Sequence, residues 1–296
     1  MIRMENVCMI GLPFYSLAKY RGMGLAVRAL RNLGITEVAK AKASAFGDLG
    51  DVSLSEIDID SGPQNLKNFT QFQRDIDRVS QASAKVDWDD FVFCLGGECT
   101  FIPGTLAGFK AKFKGKPSIL WMDAHGDFNT PETTNSGFIG GMCLAFACGR
   151  GPKLSPDIEN TRPLLNEENV VHLASRNLDP LEEKAMRSSP LKMYTAADMH
   201  RIGVGQVARE VAKYVADRSD WVVCHLDVDS IDNEIISAVN FPEKGNGLTL
   251  GEVSTVVQEL RKTGKLKVFD LAAYNPSLDR DQESGKKLVE LTSQLL

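Results

Sequence analysis

The feature that most constrains the fold of this 296-residue chain is a series of six short apolar runs, which end in polar residues or glycine. Most of these runs are unbroken and do not alternate between apolar and polar residues. Unbroken runs of this length are typical of strands buried on both faces of a parallel sheet. The predicted strands cover residues 7–14, 91–95, 118–122, 170–174, 221–229 and 266–273.

Helical patterns lie between these runs, with apolar residues three or four positions apart. They cover residues 24–33, 69–84, 182–187, 204–217 and 250–262. Thr249 and Glu252 have the spacing of a capping box at the start of the last helix. Strands that alternate with helices predict an α/β fold in which helices cover both faces of a parallel sheet. Residues 40–66 are polar and are expected to form surface connections, and residues 1–296 are expected to form a single domain.

Composition excludes several kinds of partner. The net charge is −5 and no block of Lys and Arg stands alone, so we expect no nucleic-acid partner. No apolar run approaches the roughly 18 residues that span a bilayer, and the first residues lack the pattern of a signal peptide. Most of the six cysteines lie inside apolar runs and no CxxC pair occurs, which is typical of core residues in a reducing compartment. We therefore expect a cytoplasmic protein that does not bind membranes.

Polar residues that directly follow a strand are the candidates for chemistry, because α/β sheets bind ligands at the carboxyl ends of their strands. Asp123, His125 and Asp127 follow the third run at every second position. In an extended chain these three side chains would point the same way, and two carboxylates with an imidazole can bind a divalent metal ion. The alternative is a turn with solvated acids, but charged residues seldom follow a buried strand in phase without a partner.

A second carboxylate pair, Asp227 and Asp229, has the same spacing at the end of another run. Together the two segments supply four carboxylates. One divalent ion cannot neutralise four converging carboxylates, whereas two ions at about 3.5–4 Å separation can, with carboxylates bridging them. Glu98 and Cys99 follow a further strand, after two glycines that permit a sharp turn.

These segments resemble the motifs of the ureohydrolases, the family of arginases, agmatinases and formiminoglutamases. That family shows GGDH, DAHxD, SxxHG, DxD and ExNP motifs in this order. The matching segments here are GGECT at 96–100, DAHGDFNTPETTNSGFIGG at 123–141, DVDSID at 227–232 and AAYNPSLD at 272–279. With the opening IGLPF segment, the resemblance covers nearly the whole chain.

The resemblance implies a three-layer α/β/α sandwich with a mostly parallel central sheet. It also implies hydrolysis of a guanidino or formimino group of a small amino-acid-like molecule, by a hydroxide that bridges two Mn²⁺ ions. Position by position, Asp123, Asp127 and Asp227 fall on ligands of one ion. Asp123, His125, Asp227 and Asp229 fall on ligands of the other. Asp127 would also hold a proton for the leaving amine, and a homo-oligomer, a trimer or a hexamer, is expected.

The chain departs from the family pattern at two positions of the catalytic centre. Cys99 stands at the GGDH histidine, where its thiolate can ligate a metal ion and makes zinc, iron or cobalt alternatives to manganese. A buried cysteine beside an open coordination position is the other interpretation. Gly140 stands at the histidine that shuttles protons in arginases. His225, in phase with Asp227, is a candidate catalytic replacement, although a histidine in such a strand is more often a satisfied core residue.

The residues that would contact the substrate also differ in part. Ala273 replaces the ExNP glutamate that pairs with a guanidinium group, so the substrate is expected to be less basic, or another acid such as Glu98 supplies the charge. The remaining substrate-binding residues implied by the resemblance are Asn129, Ser136, Asp179 and Glu182.

Two other functions are alternatives to the hydrolase. A non-catalytic metal-binding or regulatory homologue is the alternative, because Gly140 and Ala273 lack the family's side chains. A dinucleotide-binding oxidoreductase is disfavoured, because no GxGxxG follows the first predicted strand.

Overall fold

A computed structural model describes residues 4–87 and 91–296 and places eight strands in one sheet. The strands are β1 Met4–Leu12, β2 Ala43–Asp51, β3 Phe91–Gly96, β4 Pro117–Met122, β5 Val170–Ser175, β6 Lys192–Thr195, β7 Trp221–Asp227 and β8 Leu266–Ala272. Their order across the sheet is β2-β1-β3-β8-β7-β4-β5-β6, and every pairing between them is parallel. The predicted single domain for residues 1–296 stays a prediction.

Helices cover both faces of this sheet. They are α1 Ala26–Asn32, α2 Ile35–Lys42, α3 Phe69–Ser83, α4 Ile102–Lys112, α5 Cys143–Ala147, α6 Pro156–Glu159, α7 Pro180–Ser188, α8 Ala196–Ile202, α9 Val204–Arg218, α10 Leu250–Arg261 and α11 Glu283–Leu295. Alternate strand residues serve two separate cores: Met9 and Phe93 face α1, α2 and α8 to α11, whereas Ile10 and Cys94 face α3 to α7. The predicted three-layer α/β/α sandwich is therefore confirmed.

Several local predictions were wrong or incomplete. Residues 40–66 are not only surface connections, because β2 lies within them and pairs with β1 at the edge of the sheet. Most β2 side chains are exposed or half-buried, so this strand lacks the apolar run that marks the central strands. The strand predicted at 221–229 ends at Asp227, where a 3₁₀ turn, Val228–Ser230, begins. Six helices, α2, α4, α5, α6, α8 and α11, and strand β6 were also not predicted.

The predicted capping box of α10 is confirmed. Thr249 Oγ1 accepts a hydrogen bond from the Glu252 backbone N–H, and Glu252 Oε2 accepts one from the Thr249 N–H. None of the helices formed by residues 4–87 and 91–296 is long and apolar enough to cross a membrane.

Candidate metal centre

Three strands in the middle of the sheet deliver the candidate metal ligands to one edge. Cys99 follows β3, Asp123 follows β4 and Asp227 ends β7, with β8 lying between β3 and β7. The sulfur of Cys99 and carboxylate oxygens of Asp123 and Asp227 all lie within 4.8 Å of one another. Asp123, His125 and Asp229 form a second group, whose potential ligand atoms also lie within 4.8 Å of one another. The two groups share Asp123, and we call their five residues the candidate metal centre.

Tight turns bring these side chains together. After β3, the Gly97 N–H donates to Leu12 O, and a Cβ at Gly97 would lie 2.1 Å from Phe14 O, so only glycine fits there. After β4, the chain leaves the extended conformation, and Asp127 has a left-handed φ of 48° that Asp tolerates better than most residues. The predicted strand-like alternation of residues 123–127 is therefore wrong, although all three predicted side chains do face one cavity.

His125 is held by two of the acids. Its Nδ1 lies 3.1 Å from Asp229 Oδ2 and 3.5 Å from Asp123 Oδ1. Burial would lower the pKa of His125, but Asp229 and Asp123 outweigh it and raise this pKa to about 12. Nδ1 therefore points at the place where the carboxylates converge, as a metal-binding nitrogen would. Its other nitrogen, Nε2, lies 3.7 Å from Glu243 Oε1, a contact that no sequence motif indicated.

The carboxyl groups of the site are buried close together and repel one another when ionised, which favours the binding of cations. Burial, and then repulsion from neighbouring acids, raises the pKa of Asp123, Asp127 and Asp227. All three are nearly inaccessible to solvent. Buried acids that repel one another are costly unless positive charge compensates them. Divalent cations supply that charge, so the donor set fits a metal pair.

Asp127 belongs to neither group of close donors, but it lines the same cavity. Its Oδ2 lies 3.3 Å from the Cys143 sulfur, whose other close contact is Gly140 O at 3.1 Å. Cys143 was predicted only as a core cysteine, and its position inside an apolar run concealed this contact. The backbone carbonyl of Asp127 accepts hydrogen bonds from Leu144 and Ala145 at the start of α5, which fixes the turn.

The four predicted substrate-binding residues all line the cavity, which encloses about 900 Å³ including the solvent at its mouth. Asn129 Nδ2 donates to Asp179 Oδ2 at 3.0 Å, so these two side chains brace each other. Glu182 is nearly buried and accepts a hydrogen bond from the Phe128 backbone N–H at 2.8 Å, while it also caps α7. Burial raises the pKa of Glu182 to about 7. Ser136 is exposed at the cavity mouth.

His225 does not line the cavity. It is fully buried in β7, with Nε2 3.2 Å from the Cys99 sulfur. The sequence placed this side chain in phase with Asp227, and the structure places it behind Cys99 as seen from the cavity.

Different neighbours take the place of the missing family side chains at positions 140 and 273. A Cβ at Gly140 would lie 2.3 Å from the Phe138 ring, so that aromatic ring occupies the direction a side chain would take. Ala273 lies beside Glu98, because its N–H donates to Gly97 O at 2.6 Å. Glu98 is 2% exposed and lines the cavity, and burial raises its pKa to about 7.

An aromatic wall at the cavity was not predicted. The Phe241 ring packs against Tyr20, Phe138 and His125, with ring centroids 4.9, 5.7 and 5.6 Å away. Tyr20 and Phe241 lie outside the motif segments and far from residues 123–141 in the sequence, so only the folded chain brings these rings together.

The central strands of this three-layer α/β fold end in a set of metal-binding side chains. The fold and the site together place the chain among proteins with a candidate centre for divalent metal ions. The model described as the Arginase family matches residues 5–296, and the chain therefore belongs to the arginase family. The arginase of Bacillus subtilis (strain 168) is 32% identical over 293 residues, which cover 99% of this chain and 98% of that protein. The family relationship supports a hydrolase that acts on C–N bonds and confirms the predicted resemblance.

Solved structures agree with this assignment. The native arginase of Bacillus caldovelox superposes with a TM-score of 0.89 at 30% identity, covering 99% of this chain and 98% of that one. The Entamoeba histolytica arginase in complex with L-ornithine superposes with a TM-score of 0.90 at 26% identity, covering 99% of both chains.

Proposed function

We propose that this protein is a binuclear metal-dependent hydrolase that cleaves a C–N bond in a guanidino, formimino or related amidine group. The observation that carries the proposal is the pair of overlapping donor groups that share Asp123 at the carboxyl edge of the central strands. A shared carboxylate is what two neighbouring cations require, because it can bridge them.

The residues fit two divalent ions by the chemistry of their donor atoms. Cys99, Asp123 and Asp227, with Asp127 nearby, would hold one ion, and Asp123, His125 and Asp229 would hold the other. The family pattern adds Asp227 to the second set. Mn²⁺ is the first candidate because oxygen donors dominate, and the Cys99 sulfur admits zinc, iron or cobalt. When bound, such ions lower the pKa of a shared water and so supply hydroxide near neutral pH.

The chain itself supplies a proton carrier. Asp127 is buried at the cavity wall beside the candidate metal centre, where its carboxylate can accept a proton from the attacking water. A protonated carboxyl at this place can donate to the leaving amine as the C–N bond breaks. Gly140 contributes no acid or base here.

Recognition of the substrate divides between the floor and the mouth of the cavity. Glu98 lies beside Ala273 in the cavity lining, and Ser16 and Thr100 contact its carboxylate. Among the described residues, Glu98 Oε2 has no hydrogen-bond partner at good geometry. We assign the amidine N–H groups to the Glu98 carboxylate. At the mouth, Asn129, Ser136 and Asp179 offer polar contacts to an amino-acid-like remainder. A homo-oligomeric, trimeric or hexameric, cytoplasmic enzyme completes the proposal.

The first test counts metal ions and measures turnover on the same samples. Purified chain loaded with manganese should bind two equivalents per chain and release ammonia or an amine from at least one compound in a panel of guanidino, formimino and amidine compounds. Asp127→Asn keeps the shape of the side chain but loses its acid, and should lower turnover by about 10²–10⁴-fold.

A matched control is Asp75→Asn. Asp75 is also buried, but it holds Ser55 and Arg78 far from the cavity, so its loss should reduce stability and leave the metal count at two. Chain that binds no metal under excess manganese, zinc and iron would refute the proposal. Two bound ions without turnover on any compound would favour the non-catalytic homologue.

A second test addresses Glu98. Methylguanidinium and N-methylurea have similar shapes, but only the first is cationic. Glu98→Gln should weaken inhibition by methylguanidinium more than inhibition by N-methylurea, because it removes the charge that favours a cation. Equal effects on both compounds would show that Glu98 does not recognise the positive charge of the inhibitor.

A further inference from the structure

A row of polar side chains crosses the sheet directly behind the candidate metal centre. Strand pairing places Trp121 beside His225, and His225 beside Asp270. These positions lie two residues before Asp123 and Asp227 on β4 and β7, so they point to the same face. His225 and Asp270 are both 0% exposed.

The contacts of His225 connect Asp270 to Cys99. His225 Nε2 lies 3.2 Å from the Cys99 sulfur, and that sulfur lies 3.0 Å from Asp227 Oδ2. On the other side of the ring, Nδ1 faces Asp270 Oδ2 at 3.8 Å, which is longer than a hydrogen bond. No described residue hydrogen-bonds to Nδ1 or to either Asp270 oxygen at good geometry, although the Cys94 thiol lies near that carboxylate. The imidazole thus lies between the Cys99 sulfur at Nε2 and the Asp270 carboxylate at Nδ1.

Aromatic packing holds the imidazole in this orientation. The Trp121 ring centroid lies 4.1 Å from that of His225, and the Phe101 ring meets it edge-on at 6.1 Å. A ring enclosed in this way cannot turn toward the cavity, which it does not line. His225 therefore faces the sulfur of Cys99 and not the cavity.

We propose that His225 and Asp270 are positioning residues for Cys99: His225 fixes the sulfur through Nε2, and Asp270 orients the imidazole through Nδ1. Burying an imidazole and a carboxylate without solvent is costly, and such a pair is retained where it has a partner to orient. Side chains that orient a metal ligand contribute to metal affinity without touching the metal. This inference rests on the proposed function, because it takes Cys99 as a metal ligand.

The test uses cobalt(II) as a spectroscopic probe on the full chain after metal removal. Cobalt bound by a thiolate gives a near-ultraviolet charge-transfer band, which Cys99→Ser should abolish. His225→Asn should lower the affinity of the site that contains Cys99 by about 10–100-fold and shift this band. Asp270→Asn should change both in the same direction, but less. The affinity of the site formed by His125 and Asp229 should stay the same, which separates positioning from general damage to the fold.

The matched control is His172→Asn. His172 is also 0% exposed and lies in the same row, on the other side of Trp121, but in the described part of the chain no hydrogen bond joins it to Cys99. Because His172 contacts the backbone of His125, only the site that contains Cys99 is compared: His172→Asn should leave the band and the affinity of that site unchanged.

The outcomes distinguish a failure of the proposed function from a failure of the positioning role of His225 and Asp270. Wild-type chain that binds no cobalt would overturn the proposed function and this inference with it. Cobalt binding with an intact band in His225→Asn and Asp270→Asn, as in His172→Asn, would overturn the inference alone. If His225→Asn does not fold, as judged by circular dichroism, Asp270→Asn decides the result.

Discussion

Replacing Glu98 with glutamine should make the metal-free protein more stable at high pH and change little at low pH. Glu98 is 2% exposed, and burial raises its pKa from the ordinary 4.5 to about 7. The folded chain therefore holds this proton more tightly than the unfolded chain does. The stability that this proton contributes is complete below pH 4.5 and is lost as the pH rises through about 7.

The size of the effect follows from the shift. A change of about 2.5 pKa units corresponds to about 3 kcal/mol between the protonated and ionised forms. Glutamine never ionises, so Glu98→Gln should gain up to about 3 kcal/mol over the wild type between about pH 5 and about pH 8. A different hydrogen bond made by the amide would add a constant offset, which does not vary with pH.

Urea denaturation of metal-free wild type and Glu98→Gln at these two pH values measures the difference. An exposed carboxylate, Glu132, provides the control substitution Glu132→Gln, which should produce no such pH-dependent gain. If the stability difference between Glu98→Gln and the wild type is the same at both pH values, the raised pKa of Glu98 in the folded chain is refuted. The proposed contact between the Glu98 carboxylate and the amidine group of the substrate would then also lose its electrostatic basis.

Three further outcomes are expected. Cys99→Ser should lower the bound manganese or zinc from two equivalents to about one in equilibrium dialysis, because it removes one donor of the first group; two tightly bound equivalents would exclude Cys99 as a ligand. Chelation should lower the melting temperature by roughly 4 °C per site if free metal had been about 100-fold above Kd, since such binding contributes about 2.7 kcal/mol and a chain of 296 residues unfolds with an entropy of about 0.6 kcal/mol/K; an unchanged melting temperature would contradict metal-linked folding. Thr249→Ala should cost about 1 kcal/mol through the lost cap of α10 without affecting metal content; a loss of metal would show that the cap reaches the site.

The sequence by itself determined the fold class and the composition of the site. Apolar runs around Trp121 and Cys224 could only be buried strands, because such runs have no face left for water. The acids directly after them had to meet at one edge, since all parallel strands end on the same side of a sheet. Asp123, His125 and Asp227 were therefore predictable from spacing alone.

The tertiary structure decided what each side chain faces. Left-handed backbone at Asp127, and not strand alternation, turns that carboxylate into the cavity. His225 shares the phase of Asp227, yet its ring is held against Cys99 by Trp121 and Asp270, which lie on neighbouring strands. Spacing along one strand predicts the face of the sheet to which a side chain points. The neighbours of that side chain come from strands that are far apart in the sequence. Contacts between such strands depend on register and packing, which become defined only when the whole sheet has assembled.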